Sequence, residues 1–327
     1  MRRADTGGRG GLWGGAVSPM TISLRLPRLS KRQRRSLLVG LLFISPAIIG
    51  FFVFNIGPII QSLQYSFTRY NILQPPRYVG LNNYLFLMED RVFKIGIQNT
   101  LYMVLIGLPI HLVFNMLMAL LLNTKIKGLS IYRSIFYVPS ITPVVASTIV
   151  WLWIFNGQFG ILNEFLRFIG LSPIGWLTDP NWVKPSLIFM GAWFGGNTIL
   201  IYLASLQDVP YDLLESAELD GANAVQKTFR ITLPMISPVI FYTIIVNVIG
   251  YFQYFTEAWV MTATRDGSAG GVANSAMFYS MYLYQTAFQQ FKMGYASAQA
   301  WILFMIVLIA TLFLFKTARW VYYHAEN

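Results

Sequence analysis

Long uncharged apolar stretches alternate along this chain with short polar segments. A helix needs about 20 apolar residues to cross the hydrocarbon core of a bilayer. Six uncharged intervals meet that length: Ser36–Thr68, Ile95–Thr124, Ser134–Asn163, Pro185–Gln207, Ile231–Thr256 and Met293–Phe315. The pattern therefore predicts an all-α membrane protein with six transmembrane helices.

A seventh uncharged interval, Gly267–Phe291, differs in composition from the other six. It reads "GSAGGVANSAMFYSMYLYQTAFQQF" and is rich in Gly, Ser, Asn and Gln. Such a segment is too polar to face lipid. We therefore predict an outer loop over residues 263–292, with one short interfacial helix around Tyr279–Phe288.

Composition and charge support a membrane protein and give it an orientation. Of the 327 residues, 55% are hydrophobic and 11% charged, against about 25% charged residues in soluble domains. The net charge is +11, but nine of the 24 Lys and Arg precede residue 36, which is typical of a cytoplasmic flank and not of a nucleic-acid-binding face. We expect a disordered basic cytoplasmic tail (1–35), a six-span domain (36–320) and a cytoplasmic C-terminal tail (321–327).

The residue inventory argues against several kinds of chemistry. The chain has no cysteine and two histidines, His111 and His324, which are too few and too far apart to indicate a metal site. No Gly-x-x-x-x-Gly-Lys-Ser/Thr segment is present, so we expect no ATP bound through a P-loop. The sequence predicts no catalytic residues, no metal and no cofactor.

A compact acidic insert, Asp208–Arg230, separates the fourth and fifth predicted spans. From Leu213 the chain reads "LLESAELDGANAVQKTFRITLP", which ends at Pro234, just past the insert. Pro210 suits a first helical turn with Asp208 as its cap, and Gly221 suits a left-handed helix end. A second short helix is expected over Ala222–Thr232. Helices that lie on a membrane are usually rich in Lys and Arg, so this acid-rich insert favours docking into the groove of a soluble partner.

The spacing of residues in the insert matches a known motif. Glu215-Ser216-Ala217, three residues, Gly221, nine residues and Ile231-x-Leu233-Pro234 resemble the EAA motif of ABC-importer permeases, with Ser at the second position of the triplet. The segments "IYRSIFYVPSITPVVAS", "GILN" and "MGYASAQAW" are also similar to that family. The resemblance is greatest to its sugar-uptake branch and, within it, to maltose-type upstream permeases.

The resemblance implies a division of labour among subunits. The chain would be a non-catalytic permease, forming a heterodimer with a second homologous permease in a bacterial or archaeal cytoplasmic (inner) membrane. Two copies of an ATPase subunit would bind ATP and Mg, and an extracytoplasmic binding protein would deliver the substrate. The coupling loop, residues 208–233, would dock on the ATPase through a set of residues in and just after it: Asp212, Glu215, Ser216, Ala217, Asp220, Gly221, Ile231, Leu233 and Pro234.

Polar residues in the fourth and fifth spans form a candidate substrate pathway. In "NVIGYFQYFTE", the residues Asn247, Tyr251, Tyr254 and Glu257 recur at helical spacing, and polar groups at that depth normally face protein or a water-filled cavity. The alternative is that these residues hold helices together. By resemblance, the residues in contact with substrate would be Asn197, Asn247, Tyr251, Gln253 and Tyr254.

The type of substrate follows from the same residues. Aromatic rings beside amides suit a sugar, and an anion such as a glycerol phosphate would favour a basic residue in the site. The two candidate spans contain no Arg or Lys, which favours a neutral oligosaccharide, disaccharide or polyol. An ion-coupled secondary transporter is the alternative from another class. Such transporters need ionisable groups within the membrane, where this chain offers His111 alone, and the acidic insert would have no role.

Overall fold

A computed structural model describes residues 30–124, 127–264 and 269–321. The chain divides into two compact units, residues 1–58 and residues 59–327. The predicted tails lie mostly outside the described residues. Residues 31–35, expected in the N-terminal tail, are helical instead.

The first unit begins with a capped helix. Helix α1 spans Lys31–Phe51, and Ser30 and Gln33 form a capping box at its start, which fixes where the helix begins. A π turn, Phe52–Ile56, follows it. No residue of α1 is buried. Helix α2, Gly57–Ser66, follows across the boundary with the second unit.

The second unit is helical apart from one small hairpin. Its strands are β1 (Thr68–Asn71) and β2 (Gln74–Tyr78), which pair antiparallel. The α-helices after the hairpin are α3 Asn82–Glu89, α4 Arg91–Tyr102, α5 Leu108–Leu122, α6 Leu129–Ile141, α7 Val144–Ile154, α8 Ile161–Phe168, α9 Pro180–Gly191, α10 Gly196–Gln207, α11 Tyr211–Leu219, α12 Ala224–Lys227, α13 Leu233–Met235, α14 Ser237–Phe252, α15 Thr256–Thr262, α16 Tyr279–Tyr284 and α17 Met293–Thr317.

The structure supports the predicted six-span, all-α membrane fold. In the described part of the chain, four helices are long and apolar enough to cross a bilayer: Lys31–Ser66, Arg91–Leu122, Ser237–Thr262 and Met293–Trp320. Two bent helix pairs, α6 with α7 and α9 with α10, are also long and apolar enough to cross a bilayer when each pair is taken as one span. These six segments correspond in order to the six predicted intervals, and we number the spans accordingly.

Spans three and four are bent where the sequence contains Pro and Gly. Helices α6 and α7 differ in direction by 104°, because Thr142 precedes Pro143 and adopts an extended backbone. Helices α9 and α10 differ by 51°, with a 3₁₀ turn, Ala192–Phe194, between them. The third interval was expected to be one span to Asn163, but helix α7 ends at Ile154.

The segments that connect spans on the side opposite the insert contain more secondary structure than predicted. The hairpin and α3 were not predicted at all. A helix was predicted near Tyr279, and it forms as α16 followed by a π turn, Gln285–Gln289. Tyr279, Met281 and Thr286 are buried, so one side of this helix packs against the rest of the unit, and its interfacial position stays a prediction.

Side chains from distant parts of the sequence form the core of the second unit. One buried cluster includes Met103, Trp151, Met190 and Phe278. A second cluster lies beside the insert and includes Tyr202 and other residues of α10, with Ala119 and Ile236. The bent spans are therefore held by contacts to several neighbouring helices.

Candidate functional site

The first helix of the insert is short and exposed. Helix α11 begins at Tyr211 with Pro210 at the N-cap, and no side chain caps it. The expectation that Asp208 caps this helix is therefore wrong. Asp212 lies in the first turn, where a carboxylate interacts favourably with the helix dipole.

Gly221 ends this helix in the left-handed conformation, as predicted. Its φ is +84°. The N–H of Ala222 donates to the carbonyl oxygen of Ala217 (2.9 Å), and the N–H of Gly221 donates to that of Glu218 (3.0 Å). A Cβ at Gly221 would meet no atom within 4 Å. The need for glycine is therefore conformational and not steric.

The second helix of the insert begins later and ends later than predicted. It starts at Ala224, because Asn223 and Gln226 form a capping box. The helix continues through a π turn, Thr228–Thr232, into α13. Leu233 and Pro234 thus lie within this helix, and the next span begins at Ser237.

The two halves of the insert are joined by one ion pair. Lys227 Nζ lies 2.9 Å from Glu218 Oε2. The hydrogen bond from Lys227 and its positive charge lower the pKa of the Glu218 carboxyl. This ion pair links the two helices of the insert across the turn between them.

Most of the predicted coupling residues face outward from the insert. Asp212, Glu215, Ser216, Asp220 and Pro234 are exposed, while Ala217, Ile231 and Leu233 are partly covered. Apolar side chains stand exposed among the acids: Leu213, Leu219, Val225 and Phe229. A mixed acidic and apolar surface of this kind suits a partner protein better than an anionic lipid leaflet.

Tyr251 lies where three spans meet. Its hydroxyl is 3.2 Å from His111 Nδ1, on span two. A Cβ at Gly107 would lie 3.4 Å from the Tyr251 ring, and one at Gly191 would lie 3.9 Å from its hydroxyl. Both glycines thus let their helices approach this side chain closely.

The predicted polar stripe on span five is only partly a helical stripe. Asn247 and Tyr251 are on α14, but the helix ends at Phe252. Tyr254 follows in a non-helical link, although its ring stacks on Tyr251 with centroids 6.2 Å apart. The Tyr254 ring also meets Phe278 edge-on at 5.3 Å, which connects the candidate pathway to the outer loop.

Three predicted pathway residues lie apart from the tyrosine pair. Asn247 Nδ2 donates to Thr243 of its own helix (2.8 Å), and Gln253 Nε2 donates to Ile249 (3.3 Å). Asn197 Oδ1 accepts from Ser140 Oγ at 3.4 Å. Asn197 and Gln253 are both exposed, so they remain available to another molecule.

Sequence reasoning missed a buried amide beside His111. Asn115 is fully buried one helical turn after His111. Both polar atoms of its amide, and Nε2 of His111, lack partners among the described residues. A Cβ at Gly195 would lie 2.9 Å from Asn115 Cγ. The i, i+4 spacing of two polar residues in an apolar span is the signal that could have identified this pair.

A second missed network fastens the outer loop to spans two and four. Lys184 Nζ donates to Asn99 Oδ1 (3.0 Å) and to the Ser275 carbonyl oxygen (3.3 Å). Asn99 Nδ2 in turn donates to the carbonyl oxygens of Asn274 (2.9 Å) and Met277 (3.0 Å). Lys184 belongs to α9, so the statement that the fourth span lacks a basic residue is wrong.

The described ranges contain no group of three or more His, Asp or Glu residues placed to hold a metal ion. The candidate site residues that are described are amides, aromatic rings and acidic side chains, which bind other molecules through hydrogen bonds and contacts.

Comparison with known proteins identifies relatives over most of the chain. The profile of the family "binding-protein-dependent transport system inner membrane component" matches residues 99–324. A probable ABC transporter permease of Bacillus subtilis, YesP, is 40% identical over 91% of this chain and 96% of its own. The lactose transport system permease LacF of Rhizobium radiobacter is 32% identical over 86% and 94% of the two chains.

Solved structures show the same architecture. A chain of a bacterial ABC transporter that imports the acidic polysaccharide alginate superposes with a TM-score of 0.77 at 26% identity, covering 88% of this chain and 97% of that one. A second structure of a bacterial alginate transporter, in complex with an alginate pentasaccharide-bound periplasmic protein, gives a TM-score of 0.78.

Proposed function

Because this chain belongs to the family of binding-protein-dependent transport system inner membrane components, we propose that it is the sugar-conducting permease subunit of an ATP-driven importer. It spans the cytoplasmic membrane six times, with both termini inside. It receives its substrate from an extracytoplasmic binding protein and is not itself an enzyme.

The geometry of the insert is the observation that carries this proposal. Helix α11 exposes Glu215 beside Leu213 and Leu219, at the membrane side where spans four and five meet. The left-handed Gly221 makes the turn between the two insert helices, and the Glu218–Lys227 ion pair spans it. A helix pair linked in this way can transmit the movement of an ATPase into both attached spans.

The permease acts within a larger assembly. A second homologous permease completes the transport path, and each permease insert docks on one of two copies of an ATPase subunit, which bind ATP and Mg. The sequence supports this division, because it lacks a P-loop motif.

A neutral oligosaccharide, disaccharide or polyol is the proposed substrate. Relatives include permeases for lactose, arabinooligosaccharides and trehalose/maltose. Tyr251 and Tyr254 offer stacked rings, and Asn197 an exposed amide, which together suit the C–H faces and hydroxyls of a sugar.

An anionic glycoside is the second candidate substrate, and Lys184 favours it. Among the described residues, the partners of the Lys184 ammonium group are neutral: Asn99, the Ser275 carbonyl and the Tyr102 ring. The alginate importer of similar structure also handles an acidic polysaccharide. Competition for uptake by neutral and acidic saccharides of equal length separates the two candidates.

Reconstitution tests the proposed function. We expect uptake into proteoliposomes to require the second permease, the ATPase, the binding protein and ATP. Glu215→Lys should abolish substrate-stimulated ATP hydrolysis, while Glu164→Lys, the same reversal on exposed α8, should not. Uptake by this chain alone, driven by an ion gradient, would instead establish a secondary transporter.

A further inference from the structure

Two arginines face each other across the outer hairpin. Arg69 on β1 and Arg77 on β2 are register partners in the antiparallel pair. Partners in this position point to the same face of the sheet, where like charges destabilise the pairing. Both residues are exposed. This pairing is therefore unfavourable unless an anion lies nearby.

The described part of the chain pairs no carboxylate with these arginines. Within the described ranges, the ion pairs are Arg167–Glu164 and Lys227–Glu218. Glu89 and Asp90 line the same cavity as Arg69, but neither pairs with it. The Asp90 carboxylate already accepts hydrogen bonds from Tyr282, from Tyr295 (2.7 Å) and from the Val92 N–H (2.8 Å).

Beside the hairpin is a concave surface that adds a third cation. The cavity has a volume of about 650 Å³. Its wall includes two cations, Arg69 and Lys292, two acids, Glu89 and Asp90, and the amides of Asn71 and Asn83. With Arg77 on the hairpin beside it, the surface has three cations against two carboxylates, of which Asp90 is already hydrogen-bonded. This excess of positive charge suits a protein loop bearing carboxylates.

The hairpin is fixed to the ends of the spans. Asn83 Nδ2 donates to the carbonyl oxygens of Ser66 (2.8 Å) and Thr68 (2.9 Å). A Cβ at Gly294 would lie 3.1 Å from the Tyr65 carbonyl oxygen, so the hairpin base and span six are in close contact. A preorganised surface loses little entropy when a partner binds.

We propose that the hairpin Thr68–Tyr78, with Lys292 and the adjoining cavity, is the docking surface for an acidic patch on the extracytoplasmic binding protein. This inference rests on the proposed function, which supplies that partner. The side follows from topology: three spans separate the hairpin from the insert, so the hairpin faces outward when the insert faces the ATPase. The exposed Leu73 and Tyr78 add apolar contact area beside the charges.

Charge reversal in the assembled complex tests the docking surface. The complex is placed in nanodiscs of zwitterionic or of anionic lipid, and the probe is the purified binding protein that stimulates ATP hydrolysis by the wild-type complex. We expect Arg69→Glu with Arg77→Glu to raise the binding-protein concentration for half-maximal ATP hydrolysis at least about tenfold (1.4 kcal/mol). The rate at saturation should be unchanged, and the shift should be the same in both lipids.

The matched control is Lys94→Glu, an exposed residue of α4 outside the cavity. An equal rise in the half-maximal binding-protein concentration for Lys94→Glu would mean that positive charge anywhere on this side attracts the binding protein. That result would overturn the docking surface. A shift confined to anionic lipid would overturn it in favour of a membrane contact, and an unshifted double variant would overturn it outright. A wild-type complex that no binding protein stimulates would refute the proposed function itself.

Discussion

The Tyr251 hydroxyl and His111 Nδ1 lie 3.2 Å apart across two spans. This contact joins the central residue of the predicted pathway to the one histidine that the sequence places within a span. Asn115 lies one turn beyond His111, and its amide has no hydrogen-bond partner among the described residues. Tyr251, His111 and Asn115 thus place polar groups at successive turns where spans two, four and five approach each other.

Tyr251→Ala tests whether this region conducts substrate. We expect uptake per folded complex to fall about tenfold, which is a loss of about 1.4 kcal/mol of transition-state stabilisation. The affinity of the isolated binding protein should not change. The control is Tyr242→Ala, on the same helix but 56% exposed. Unchanged uptake per complex with a lower yield for Tyr251→Ala would mean that Tyr251 only holds helices together.

Gly221→Val tests the turn between the two helices of the insert. A side chain in the left-handed region costs about 1–2 kcal/mol, so we expect the α11 end to shift and ATP hydrolysis to uncouple from substrate. Gly128→Val is the matched control, because Gly128 has a φ of +77° and an empty Cβ position outside the insert. Equal uncoupling by both variants would show a general strain effect.

Asn163→Ala should destabilise the unit without altering transport. This buried amide donates to the carbonyl oxygens of Gly157 and Ile174 and accepts from the Ile174 N–H and Trp176 Nε1, each at 3.0 Å. Leaving such partners unpaired costs about 1–3 kcal/mol. Thermal unfolding should show this loss. The same measurement on Asn181→Ala should show none, because Asn181 is an exposed residue at the start of α9. Normal stability with slower uptake would place Asn163 in the pathway.

Acid should remove the stabilising effect of Asp90. Burial acts to raise the pKa of its carboxyl, but hydrogen bonds from Tyr282, Tyr295 and two backbone N–H groups outweigh it and hold the pKa below the ordinary 3.8. A lowered pKa stabilises the folded state above pH 3.8, and this contribution is lost as pH falls through the lowered value.

We therefore expect wild type to unfold at a higher temperature than Asp90→Asn at pH 6. This difference in unfolding temperature should disappear below pH 3.8. Asn preserves the N-cap of α4. Asp179→Asn is the control, since Asp179 also caps a helix, through the Asn181 N–H. A difference in unfolding temperature that does not change with pH would exclude the charge of the Asp90 carboxylate as its cause.

Local signals explain why the insert could be predicted from the sequence. The left-handed Gly221 and the helix before it follow from residues within one short segment. The helix caps were harder to predict: the second helix was expected to begin at Ala222, but Asn223 is its N-cap. The six spans followed from the absence of charge, since the cost of burying a charge in lipid leaves a strong pattern.

Features that depend on distant contacts could not be predicted. Strand β2 contains Pro75 and Pro76, which argue against a strand by propensity alone. The Lys184–Asn99 hydrogen bond joins residues 85 positions apart. The break after Phe252 separates Tyr254 from the helical stripe, and no periodic pattern indicates where such a break occurs.

The π turn Met103–Gly107 in span two limits which insertions and deletions this chain can accept during evolution. Such a turn accommodates one more residue than an α-helical turn, so the helix after it keeps its phase. Loss of one residue inside the turn would restore a regular helix and leave His111 on the face that meets Tyr251. Loss of one residue from the regular helix between Gly107 and His111 would instead rotate His111 by about 100° away from Tyr251. Lineages that keep this contact should therefore change the length of span two, if at all, within this turn.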